Sequence, residues 1–472
     1  MLTSDLIQAF VRNPTFMKFH IMRAQLIALL FILLAGCSIF RGDQSAKPMP
    51  LAEFDERVEI NSLWSVSRGT GTAKQQVADL SVEVLKPSEA DSNAALRLIS
   101  AGHEGDITVS EFESSDAAAL ARAPRRKDAV KLDTRIAAGP EASNTAVFVV
   151  DNDAKLVALG ASELDLLWTA NLSSEATAKP AANNEVVAVR TIDGALTVFD
   201  ATTGERRWEY RHELPALSLR SQAQPLVTDS EVLTGFETGH IRAMNLSDGS
   251  LVWQVRVAQP SGRTDLERVV DVDTQAIIDG GSVYTASYQG NIISIDRSKG
   301  RAEWRQPFST AKNIDYDDGS LAAVSADSEI VLLDAYSGTV EWRNSELLRR
   351  GIGAPLLTAE FVLVADDAGW VHVLDRDNGD IIGRRRLGKK TPHAALKSLG
   401  ETVFLYENGR GTLKGFSLTE LIIEQSELTD SENIDTEADS ASQIEFGTSP
   451  AVPSLLDFDT DGELELDDTE DE

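Results

Sequence analysis

The 472-residue sequence predicts an all-β chain: an eight-bladed β-propeller closed by a strand from its own N-terminus and followed by a disordered acidic tail. Three observations carry this. First, "GALTVFDATTGERRW" (194–208), "GHIRAMNLSDGSLVW" (239–253), "GNIISIDRSKGRAEW" (290–304) and "SEIVLLDAYSGTVEW" (328–342) align without gaps, each reading as strand, turn ending in glycine, and second strand carrying tryptophan. Second, strands with period-two alternation of Val, Phe and Tyr precede such units, as in "EVVAVRT", "SVYTASY", "FVLVADD" and "TVFLYEN". Third, the units recur at 38 to 51 residues, the period of a four-stranded blade.

From the start of the chain, the apolar run "LIALLFILLAGC" follows Lys18, His20 and Arg23 and ends at Cys37, the single cysteine. At about 11 residues it is too short to span a bilayer comfortably and has the anatomy of a cleaved secretory signal, 1–36. Residues 1–16 precede the natural basic region, which makes Met17 an alternative start. Leu34-Ala35-Gly36-Cys37 resembles the bacterial lipobox, and that resemblance implies a diacylated Cys37 at the new N-terminus. Ser38, not being aspartate, implies sorting to the outer membrane. Two or three acyl chains anchor stably where one does not. Residues 37–56, with Pro48 and Pro50, are expected as a flexible tether, and with Cys37 lipidated the folded part has no thiol for a disulfide.

The propeller is expected over 57–423. Third strands of its units begin at 105, 154, 194, 239, 290, 328, 369 and 411, which makes eight. The first unit is the least regular, with "AAALARAPRRKD" read as a loop or short helix whose four basic residues are solvated. Two copies are degenerate: Leu164 stands at the turn glycine of one, and Gly383 stands where another should have tryptophan. The last unit has no fourth strand behind it, whereas "SLWSVSRG" (62–69) is a Trp strand with nothing before it. Trp64 therefore fills the vacancy, and closure removes an open seam of unpaired edges. Trp64, Trp168, Trp208, Trp253, Trp304 and Trp342 recur at one structural position, so they read as wedges between sheets rather than ligand platforms. From Glu424 to Glu472 there are 18 acidic residues and no Lys or Arg, a composition that cannot bury enough apolar area to order itself.

The net charge of −31 argues against nucleic-acid partners, whose phosphates need clustered Lys and Arg. The six histidines show no zinc-type spacing, there is no G-x-S-x-G elbow, and the glycine pairs of "GTGTAK" (69–74) and "GIGAPL" (351–356) read as turns. No catalytic residue and no cofactor are therefore expected. One stretch, "DFDTDGELELDD" (457–468), places Asp457, Asp459, Asp461 and Asp468 at EF-hand spacing with Gly462 at the sixth position. Without flanking amphipathic helices it reads as acidic tail first and calcium loop second.

The repeat D-x-x-x-G-x-x-x-W resembles that of the pyrroloquinoline-quinone dehydrogenases, eight-bladed propellers, which makes a quinone-linked oxidoreductase the rival reading. The adjacent-cysteine disulfide frequent in those enzymes is impossible with one cysteine. The lipobox, the Trp-repeat propeller and the segments "LPALSLR" (214–220), "RTDLERVVDVDTQAI" (263–277) and "NSELLRRGIGAPLL" (344–357) resemble the BamB family of outer-membrane protein assembly factors, from about Trp64 to Leu418. This resemblance implies a non-catalytic lipoprotein of the β-barrel assembly machinery, on the outer membrane facing the periplasm. Its implied partners are the POTRA region of BamA and other subunits of the complex, with contact to unfolded outer-membrane proteins left open. The family's contact residues match Leu217, Leu219, Arg220, Asp271 and Asp273. Two leucines ringed by one arginine and two aspartates make a small apolar centre with a charged rim, an interface signature. The alternative is that the leucines tuck under the loop while Arg220 pairs with Asp271 or Asp273 to fix it.

Overall fold

The computed structural model describes residues 47–67, 82–85, 95–219, 223–390 and 394–421. Cys37, Arg220 and the 457–468 stretch lie outside them. The chain divides into two units, Met1–Ile423 and Glu424–Glu472, the second wholly outside the described residues.

Eight four-stranded antiparallel sheets follow one another in order. Blade 1 is Glu83–Leu85, Arg97–Ala101, Asp106–Glu111 and Arg125–Lys131, and blade 2 begins at Ile136–Ala142. Blade 3 is Ala181–Ala182, Val186–Arg190, Ala195–Asp200 and Arg206–Arg211; blade 4 is Leu226–Val227, Glu231–Phe236, His240–Asn245 and Leu251–Arg256. Blade 5 begins at Ile277–Asp279 and blade 6 ends at Val340–Asn344. Blade 7 is Leu356–Leu357, Phe361–Ala365, Trp370–Asp375 and Ile381–Arg386; blade 8 is Ala395–Ser398, Val403–Asn408, Thr412–Glu420 and, from the N-terminus, Val58–Ser67. First strands of neighbouring blades touch one another, so they are innermost. In such a meander the turn between strands two and three and the connection to the next blade fall on one face of the ring, called the upper face below.

Each core cluster straddles two blades. Val186, Leu196, Val198 and Trp208 of blade 3, for example, pack with Val232, Phe236 and Met244 of blade 4. The paired Trp and Gly of the repeat have a joint cause. A Cβ on Gly204, Gly249, Gly300, Gly338 or Gly379 would stand within 2.4–2.7 Å of Trp168, Trp208, Trp253, Trp304 or Trp342 of the preceding blade. The indole N–H of Trp208 then donates to the Leu246 carbonyl at 2.8 Å, and Trp168, Trp304 and Trp342 do likewise to Ala201, Ala335 and Arg376.

The closing strand Val58–Ser67 pairs antiparallel with Thr412–Glu420. Trp64 donates to the Leu120 carbonyl of blade 1 at 2.9 Å, so it docks across the seam as the other tryptophans do. Gly383 lacks a tryptophan because the seam lies there: the Val58 carbonyl would stand 2.6 Å from its Cβ. Leu164 adopts the left-handed conformation of the glycine it replaces, at φ 53°.

Two expectations are corrected. In blade 1 only Ala117–Leu120 is helical, capped by Asp116, while the basic residues that follow form the fourth strand. They are solvent-exposed as expected, and Arg125 also pairs with Glu113 at 2.8 Å and Lys127 with Glu111 at 3.2 Å. Within the expected flexible tether 37–56, the described stretch from Lys47 onward is laid along blades 6 and 7 as a strap. Arg349, Arg350 and Arg384 donate to the carbonyls of Lys47, Met49 and Ala52 at 2.8–2.9 Å, and Leu51 and Phe54 pack on the core between the two blades. Buried apolar contacts and charge-assisted bonds offset the entropy that was expected to leave this segment loose.

Candidate partner-binding surface

Two long upper-face connections meet on one side of the ring, 212–225 between blades 3 and 4 and 257–276 between blades 4 and 5. The second is internally braced. Glu267 accepts from the backbone N–H groups of Arg263 and Thr264 at 2.6 and 3.0 Å, and Gln289 of blade 5 donates to the Leu266 carbonyl at 3.2 Å. Leu217 is 43% exposed and Leu266 64%, with Leu214 and Ile192 also in solvent. Leu219 is half-buried, and its backbone N–H donates to Asp271 Oδ2 at 2.6 Å, which ties the two connections together.

Asp271 is 0% exposed and Asp273 is also buried. The charged rim expected from these two aspartates is therefore not on the surface; Asp271 instead holds the Leu219 backbone from below. Asp271 thus fixes the loop through the Leu219 backbone; the Arg220 pairing of the loop-fixing alternative falls on a residue outside the described ones, and Leu217 is exposed.

Beneath the loop lies a buried ionic cluster. Arg190 of blade 3 donates to Glu237 Oε1 at 2.7 Å and to the Gly235 carbonyl at 2.8 Å, and its guanidinium sits 4.2 Å from the Phe236 ring centre. His212 Nε2 approaches the other Glu237 oxygen at 3.1 Å. Burial alone would push the Glu237 carboxyl up, but Arg190 and His212 hold it down to about 2. Asp271 has no such cation among the described residues: burial pushes it up to about 6, against the Leu219 amide and helped by the Glu237 charge. Burial, then Asp271, then Glu237 push Asp273 well above the ordinary carboxylate range. One oxygen of each aspartate has no hydrogen-bond partner among the described residues, which is costly in a buried site.

Polar residues also converge from the inner strands. Lys179, ahead of blade 3, lies 2.6 Å from Glu83 of blade 1 and 3.3 Å from Glu141 of blade 2, whose carboxyl also lies 3.4 Å from Gln224 Nε2. One ammonium between two carboxylates braces blades 1, 2 and 3 against one another. Among the described residues no group of three or more His, Cys, Asp or Glu is placed to hold a metal ion.

The family model described as outer membrane protein assembly factor BamB matches residues 107–344. A curated relative of that name from Burkholderia pseudomallei is 30% identical over 80% of this chain and 93% of its own length. The chain belongs to the BamB family. Among solved structures, the crystal structure of BamB from Moraxella catarrhalis matches with TM-score 0.64 at 22% identity, covering 76% of this chain and 99% of that one. A europium-containing methanol dehydrogenase matches with TM-score 0.57 at 12% identity over 76% of this chain and 93% of its own, a likeness of fold alone.

Within this BamB-family ring, sequence reasoning found the loop and its leucines but missed Ile192, Leu214 and Leu266. Their exposure depends on tertiary placement, which no local pattern announces. It also missed the Arg190–Glu237 pair, because both residues sit at the ends of otherwise apolar strands and read as ordinary strand termini.

Proposed function

We propose that this chain is a non-catalytic scaffold of outer-membrane protein assembly, a lipoprotein moored through Cys37 on the periplasmic side of the outer membrane. It binds the POTRA region of BamA through Leu217, Leu219 and Arg220, with Asp271 and Asp273 shaping the site. Other subunits of the complex are further partners. The observation that carries this reading is an exposed leucine on a connection whose backbone is held from beneath by a buried carboxylate. A prearranged apolar anchor of this kind lowers the entropy cost of binding. Its test is capture of the BamA periplasmic region by the wild-type chain and by Leu217→Asp. Affinity should fall about tenfold or more with the melting temperature held within about 2 °C. A large loss of stability with unchanged capture would place Leu217 in a satellite core.

A further inference from the structure

We propose that the upper face of blades 7 and 8 is a docking surface for the phosphate headgroups of anionic phospholipids. Between residues 384 and 414 the sequence carries eight Lys and Arg against two Glu, in a chain whose net charge is −31. Such a local excess needs a reason. Of these cations, Arg384 braces the strap and Arg385 donates to the Ile60 carbonyl. Arg386, Lys389, Lys390 and Arg410 are exposed, and among the described residues none makes an ion pair. They form one patch: Arg410 donates to the Lys390 carbonyl at 3.1 Å and Arg386 to that of Gly388 at 3.2 Å. Blade 1 is the contrast, since three of its basic residues, Arg122, Arg125 and Lys127, are matched to Glu113 and Glu111.

A second, independent observation points to the membrane rather than to another anion. The described strap begins at Lys47, whose carbonyl accepts from Arg349 in the connection that enters blade 7 on this same upper face. Cys37 is ten residues back, so the chain between them reaches about 35 Å at most. Lipidation at Cys37, on which this inference rests, would keep Lys47, on the same face as the cationic rim, within that distance of the bilayer. The Leu217 connection lies across the ring at blades 3 and 4, so lipid and partner engage different blades.

The test uses the processed chain from residue 37 carrying Cys37→Ser, so that no acyl chain contributes. It is cosedimented with phosphatidylethanolamine vesicles doped with phosphatidylglycerol and with phosphatidylcholine vesicles. Binding should be confined to the anionic vesicles and lost at high salt. The combined variant Arg386→Glu, Lys389→Glu, Lys390→Glu and Arg410→Glu should weaken it by more than about tenfold. Lys389→Glu with Lys390→Glu alone, placed in a connection, guards against misfolding and should give a smaller loss in the same direction. Arg126→Glu, an exposed arginine of blade 1, should change nothing. Undiminished binding by the patch variants, or equal binding to neutral vesicles, overturns the proposal. Retention on polyglutamate but not on vesicles also overturns it, in favour of an acidic protein partner. Acylation itself is read separately, from the mass of the chain isolated from cells, so failure of the anchor and failure of the patch are distinguishable.

Discussion

Replacing Asp271 by alanine separates the loop's role in binding from its role in stability. Burial raises this carboxyl from its ordinary 3.8 to about 6. At about 1.4 kcal/mol per pH unit, holding it ionised at pH 7.5 costs the fold about 3 kcal/mol. A carboxyl raised in the folded state favours folding at low pH, so this cost is absent below about pH 4 and complete above about pH 6. The 2.6 Å bond from Leu219 already opposes that rise, so the cost is net of it. Asp271→Ala removes the cost but leaves the Leu219 N–H without its acceptor, a loss of about 1–3 kcal/mol, so at pH 7.5 the two nearly cancel and the melting temperature stays within about 4 °C of wild type. The connection is then untied, and affinity for the BamA periplasmic region should fall about ten- to hundredfold. At pH 5 about half of the ionisation cost has gone from the wild type, and the variant gains nothing, so the wild type becomes the more stable of the two. Melting curves at both pH values with titration calorimetry at pH 7.5 read all three effects. A fall in melting temperature beyond about 8 °C with affinity unchanged would mean that Asp271 serves the fold alone.

Trp208→Ala should cost about 3–5 kcal/mol by chemical unfolding, and Trp253→Ala about 1 kcal/mol less, because the Trp253 indole N–H has no acceptor among the described residues; equal losses would deny the indole bond its contribution. Burial pushes Glu141 up to about 7, Lys179 opposing and Glu83 adding, so wild-type stability should decline from about pH 4.5 to pH 7 more steeply than that of Glu141→Gln; parallel pH–stability curves would refute this. Phe54→Ala, which strips the ring from beneath the Arg384 guanidinium, should raise hydrogen exchange across 47–57 at a cost of about 1–2 kcal/mol. Unchanged exchange there would mean that the arginine–carbonyl bonds hold the strap unaided.

The ring was legible because each blade repeats one physical solution. A wedge indole on the fourth strand demands a glycine on the next blade's last turn, and both leave their mark at fixed spacing. Even the exceptions were readable as exceptions: Trp64 closes the ring, and Gly383 marks the seam beside it. The strap was not legible. Its holders, Arg349, Arg350 and Arg384, are some 300 residues away in sequence, and Pro48 and Pro50 read as a loose linker because prolines mark strap and tether alike. The aspartates were half legible. The resemblance pointed to their positions, but the depth at which they lie depends on how 257–276 folds over Phe236, where the Val272 N–H reaches the Phe236 carbonyl at 3.3 Å.

Repetition and the proposed partner surface therefore occupy different parts of this molecule for a physical reason. The Trp–Gly docking and the two-blade cores supply stability at every interface, so no single connection is needed to hold the ring together. Connections can then lengthen, and 257–276 is the longest between blades, carrying features the repeat forbids: exposed Leu266, and two buried carboxylates with oxygens unmatched among the described residues. A small domain could not tolerate that ionic cost, whereas a ring of eight interfaces can. If so, transplanting the 257–276 connection into a less redundant propeller should destabilise the host, and neutralising Asp271 and Asp273 together as asparagines should stabilise this one at pH 7.5 while weakening the proposed binding of the BamA periplasmic region. A double variant that melts lower than wild type at that pH would show that the carboxylates are compensated by groups the present geometry does not pair with them.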